Sequence, residues 1–134
     1  MNKSYTDLEQ SKKLAEILPI ESADMAWCNN SIRGVNYTDE YSANLYTVKE
    51  MQECFNEALV GWDKYWELIP CWSLAALLNI LDYPQLSKDK LGSGKTGWMV
   101  SVYPDNCRYD SCWHDNPVDA CVEMIIKLKE NNLL

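Results

Sequence analysis

Apolar side chains recur along this chain in two rhythms, one of helical and one of extended period. Leu8, Leu14, Ala15, Ile17 and Leu18 fall mostly on one face of a helix. Thr6 and Glu9 stand at the spacing at which two side chains cap a helix start reciprocally, and Pro19 closes the segment. The pattern predicts a helix over about 7–18. The same rhythm returns at Val48, Met51, Phe55, Ala58, Leu59 and Trp62, behind a second capping pair at Thr47 and Glu50. Gly61 is its natural stop, so a helix is predicted over about 48–60. The run CWSLAALLNIL is apolar almost all round, the mark of a short helix enclosed on several sides, at about 72–81. Asn116 and Pro117 suit an N-cap and a first helical position, and Asp119 complements the positive helix start. Val118, Cys121, Val122, Ile125 and Leu128 then line one face of a helix over about 117–130.

The extended rhythm is weaker. Met25 to Cys28 is a short apolar run consistent with a strand near 25–28. GWMVSVY, residues 97–103, is rich in β-branched and aromatic residues, and Pro104, Asp105 and Asn106 supply turn chemistry. Residues 107–113 then return as the second strand of a hairpin over about 97–113. Residues 29–44 are polar and turn-rich and read as a loop with room for a short extended piece; WDKYWELIP is an aromatic segment stopped by Pro70. These elements predict an α+β fold, a small antiparallel sheet packed against about four helices, since strict βαβ alternation is absent. No repeat or Gly/Ser-rich linker divides residues 1–134, so a single domain is expected.

Charge narrows the partners. Twenty acidic side chains against twelve basic ones give a net charge of −8, which repels a phosphate backbone and excludes nucleic acid as the expected partner. The first residues lack an export signal's apolar core and no run of eighteen apolar residues occurs. The cytoplasm is therefore the expected location, with no membrane partner. The six cysteines are accordingly expected as thiols rather than disulfides.

The letters GSGKT at residues 92–96 suggest a phosphate-binding loop. That motif needs a glycine where this chain has Asp89, and it must lead into a helix. Here it leads into the strand-like GWMVSVY, so the glycines read as a turn. CRYDSCWH brings Cys107, Cys112 and His114 together in sequence, with Cys121 beyond. In a regular strand an offset of five places Cys107 and Cys112 on opposite faces, which disfavours zinc. A small hydrolase or transferase using Cys112 and His114 is the alternative enzymatic reading, with no recognisable oxyanion feature beside them. Neither a metal nor a cofactor is expected, and no acid/base pair stands out among residues such as Asp39, Glu40, Glu50 and Glu53.

The aromatic content is less ordinary: six tryptophans and eight tyrosines accompany one phenylalanine, so most rings carry a polar handle. Trp62, Tyr65, Trp66 and Trp72 fall close together, and Trp98 follows the glycine-rich turn. These five residues are the candidate binding set, either as a recognition surface or as the wall of a planar-ligand pocket, against the plainer reading of a tryptophan-using core.

Three blocks, YTDLEQSKKLAEILPIESADM, PCWSLAALLNIL and DNPVDACVEMIIKL, make the chain resemble a group of small uncharacterised proteins encoded by phages and mobile elements of gut bacteria. The resemblance implies strands between the apolar helix and the last helix, and a setting without an assigned activity. It adds to the expectation of a non-enzymatic accessory protein that binds a protein partner or small molecule through its tryptophans. A homo-oligomer joined by the same patch is a further possibility.

Overall fold

The computed structural model describes residues 3–30, 41–45 and 66–134. The helix expected over 48–60 lies outside them. The described residues are α+β, with three α-helices and two small antiparallel sheets where one sheet is expected. They belong to two compact units, Asp7–Trp72 and a discontinuous one formed by Met1–Thr6 with Ser73–Leu134.

In the unit Asp7–Trp72, α1 runs Leu8–Ala15. Its cap is Asp7, not Thr6: Asp7 Oδ1 accepts the Gln10 N–H at 2.8 Å, and Gln10 Oε1 accepts the Asp7 N–H at 3.1 Å. The Thr6/Glu9 pair fails because Tyr5 is bridged to Ser73 and Thr6 is fully buried, which holds the backbone extended up to the cap. The helix stops short of residue 18 because its last turn tightens, with the Ile17 N–H on Leu14 O. The strand expected near 25–28 is β1, Met25–Asn30, and it is longer than its apolar run. It forms the centre of its own sheet between β2, Tyr41–Leu45, and β3, Trp66–Cys71, instead of joining the 97–113 region. Pro70 does not stop β3; among the described residues β3 is an edge strand, where a residue without an N–H can face away from the ladder. Leu14, Leu18, Ala23, Met25, Ala26, Ile69, Cys71 and Trp72 are this unit's buried apolar residues among those described.

The other unit begins with the extended residues 3–6, where Ser4 O accepts the Leu74 N–H at 3.0 Å. Helix α2 is Leu74–Ile80, shorter than 72–81 because Ser73 caps it, accepting the Ala76 N–H at 3.2 Å. The sheet is β4 (Gln85–Lys90), β5 (Thr96–Val102) and β6 (Tyr109–Asp110), in that order. Helix α3 is Pro117–Glu130, with Asn116 Oδ1 accepting the Asp119 N–H, as the sequence indicates.

The 97–113 hairpin is partly redrawn. β5 pairs with a full strand before it, β4, and after it with the two-residue β6 and, through an isolated bridge, His114. The glycine-rich letters close the β4–β5 hairpin, with the Leu91 N–H on Lys95 O and the Gly94 N–H on Leu91 O, both at 2.8 Å. Gly94 has φ 82, the left-handed position that a three-residue hairpin loop requires. At the other end Asp105 (φ 52) and Asn106 (φ 62) are both left-handed, and the Cys107 N–H bonds Pro104 O. This is the type I′ geometry that matches strand twist. No helix among the described residues is long and apolar enough to cross a membrane.

Candidate functional site

Chemistry-bearing side chains gather where β5, the segment after β6, and α3 meet. Side chains alternate between the faces of a strand, so Trp98, Val100 and Val102 share one face of β5. Directly opposed residues share that face too: Lys88 beside Trp98 on β4, Tyr109 beside Val102 on β6. Helix α3 lies over it, since Lys127 Nζ stands 6.0 Å from the centre of the Tyr109 ring and Glu123 reaches His114.

A one-residue bulge sets up this corner. Asp110 faces Ser101 and Tyr109 faces Val102, so regular pairing would bring Trp113 opposite Trp98. His114 stands there instead, exchanging both backbone hydrogen bonds with Trp98 at 2.7 and 2.8 Å. The ladder continues through the Ser111 N–H, which bonds Val100 O at 2.9 Å, and is broken by the extra residue at 112–113. Ser111 Oγ takes the place of a backbone carbonyl, accepting the Val100 N–H at 3.0 Å, and the Cys112 N–H is left over. Glu123 accepts it at 2.7 Å. The other carboxylate oxygen lies 3.1 Å from His114 Nε2, and the Cys112 thiol also bonds this carboxylate.

Three donors therefore converge on Glu123. Burial alone would raise its pKa, but the bonds from the Cys112 N–H, the His114 imidazole and the Cys112 thiol outweigh it and hold the carboxyl below its ordinary value of 4.5. The same contact works in reverse on the thiol: the hydrogen bond to Glu123, then its charge, push Cys112 above the usual thiol range. Cys112 is exposed, yet it is held as a protonated donor and not as a thiolate.

The premise for separating Cys107 and Cys112 by strand alternation fails, because only residues 109–110 are strand and the bulge interrupts the rest. Both are exposed, while Cys121 is buried on α3 with its thiol pushed up to about 12 by burial. Among the described residues no group of three or more His, Cys, Asp or Glu side chains could hold a metal ion.

Trp66, Trp72 and Trp98 are the candidate aromatic residues among those described. Trp62 and Tyr65 lie outside the described residues, and Trp66 opens β3 opposite Asn30. Trp72 is a core residue, fully buried, with its indole N–H donated to Ser22 Oγ at 2.9 Å, and it contributes nothing to a surface. Trp98 is half-buried, with Lys88 Nζ 5.0 Å above its ring, a cation–π contact. Sequence reasoning missed Trp113, 40% exposed, and Tyr83, 92% exposed with φ 47. The signal for Tyr83 was its place between Asp82 and Pro84 directly after an apolar helix, a turn context in which an aromatic residue has no helix face to join. No protein-family model, curated protein or solved structure matches this chain.

Proposed function

We propose that this chain is an accessory protein of phage or mobile-element origin that binds a protein partner or small molecule through exposed aromatic side chains, without catalysing a reaction. Tyr83 carries the reading. A left-handed backbone costs a non-glycine residue about 1–2 kcal/mol, and a ring that is 92% exposed recovers nothing by burial. A partner that covers the ring supplies the missing compensation, and tyrosine suits that task because it buries area while keeping a polar tip. Tyr103 and Trp113 are further exposed aromatic side chains in the same unit. The origin rests on the three sequence blocks.

The enzymatic alternative is less well supported. A nucleophilic cysteine needs its thiolate favoured and a base within reach of its sulfur. Here Glu123 favours the thiol and occupies His114 as well.

Native mass spectrometry of the protein taken directly from a lysate of producing cells resolves a retained partner or ligand by its mass. The expected outcome is retention by the native chain and its loss in Tyr83→Gly. The same variant gains about 1 kcal/mol in urea titration because glycine adopts positive φ without strain. Equal retention by both proteins would sink the reading.

A further inference from the structure

We infer that β4 is a docking edge for an extended, acidic segment of a partner, which adds to the sheet as a fourth strand; the inference rests on the binding reading above and names the class of partner. β4 is the first strand in the order β4-β5-β6 and, among the described residues, has a neighbour on one side only. The direction of its backbone groups follows from β5. Trp98 and Val100 turn their N–H groups toward His114 and Ser111, on the far side from β4. Gly97, Met99 and Ser101 therefore face β4 and engage Asp89, Ser87 and Gln85. The backbone groups of Leu86, Lys88 and Lys90 point outward. Asp89 Oδ1 accepts the Lys90 N–H at 2.8 Å, which leaves the N–H groups of Leu86 and Lys88 as the donors offered by this edge.

Charge decides between occupants. A second copy would pair β4 with β4 antiparallel about a two-fold axis, with outward residues opposite outward residues. Centred on Lys88, that pairing sets Lys88 against Lys88; centred on Asp89, it opposes Lys88 to Lys90 and Asp89 to itself. Centred on Ser87, it requires a hydrogen bond between Pro84, which has no N–H, and Lys90, whose N–H is already taken. Self-pairing in these three registers is thus discouraged. Lys88 and Lys90 share the face of the sheet that carries Trp98, so a strand with acidic residues at alternate positions meets both. The unit to which β4 belongs does not repel such a strand: Met1–Thr6 with Ser73–Leu134 contains eight acidic and seven basic side chains.

The probe is a short fluorescein-labelled peptide of alternating valine and glutamate, its binding to the full chain followed by anisotropy. Binding is expected, weaker at high salt, with the Leu86 and Lys88 amides becoming protected from hydrogen exchange. Leu86→Pro removes one outward donor at an edge position that tolerates proline, and is expected to weaken binding about five- to tenfold. Lys88→Glu is expected to weaken it similarly and to bind a valine–lysine peptide in its place. Absence of binding, binding unchanged by Leu86→Pro, or no exchange of preference in Lys88→Glu overturns strand addition. None of these results affects retention through Tyr83, which is read separately by mass.

Discussion

Glu123 shows how much one side chain organises here. It takes the backbone donor stranded by the bulge, fixes the imidazole of His114 and holds the Cys112 thiol protonated. Removing its charge while keeping its shape should return Cys112 toward ordinary thiol behaviour. Glu123→Gln is therefore expected to alkylate at Cys112 faster than the native chain at neutral pH, with iodoacetamide labelling of that site followed by peptide mass spectrometry. An unchanged rate would mean that the carboxylate does not govern the thiol. Nothing in the sequence separated Glu123 from the other helix acids, because its role depends on a bulge that shifts the register by one residue. Spacing alone paired Cys112 with His114 but could not show that a third group lies between them. At Trp72 sequence reasoning had the opposite difficulty: tryptophan serves a core as readily as a surface, and a hydrogen bond to Ser22, fifty positions away, decides for the core.

At the level of elements, legibility tracks how far local chemistry acts alone. Helix α3 follows its sequence signals because Asn116, Pro117 and a five-residue apolar stripe all agree. Helix α1 starts one residue late because a distant partner, Ser73, holds Tyr5 extended. β4 escaped notice because QLSKDK is an exposed edge strand, where no apolar alternation is required. The GSGKT letters lead into a strand, as their flanks indicate, but their turn joins two strands and not merely a loop to one. Gly94 is the position on which that hairpin depends. Gly94→Ala is expected to cost about 1 kcal/mol or more in urea titration, whereas Gly92→Ala, with open space around its added carbon and no positive φ, should cost less. Equal costs at the two sites would contradict the hairpin geometry.

The whole molecule divides its charge unevenly. Asp7–Trp72 contains twelve acidic and five basic side chains, so almost the entire net charge of −8 falls in that unit. Its acids repel one another, and protonating some of them relieves the repulsion. The other unit is nearly balanced and holds two carboxylates, Asp110 and Glu123, whose pKa is lowered by specific bonds. Hydrogen bonds from Ser101 and Arg108 lower Asp110 from 3.8, and the three donors described above hold Glu123 below 4.5. A lowered folded pKa means that the unfolded chain binds protons more readily. The stability contributed by these groups is therefore complete above the ordinary values of 4.5 and 3.8, and is lost as pH falls below them through the folded values. Mild acid should thus act on the two units in opposite directions. Urea titrations at pH 6 and at about pH 3.5, followed by backbone amide NMR signals, are expected to give a lower midpoint in acid for β5 and an unchanged or higher one for β1. Glu123→Gln should lessen the fall at β5, since the variant has no carboxylate at that corner to protonate. A common fall at β1 and β5, unaffected by the substitution, would show instead that acid acts through global charge and not through the Glu123 corner.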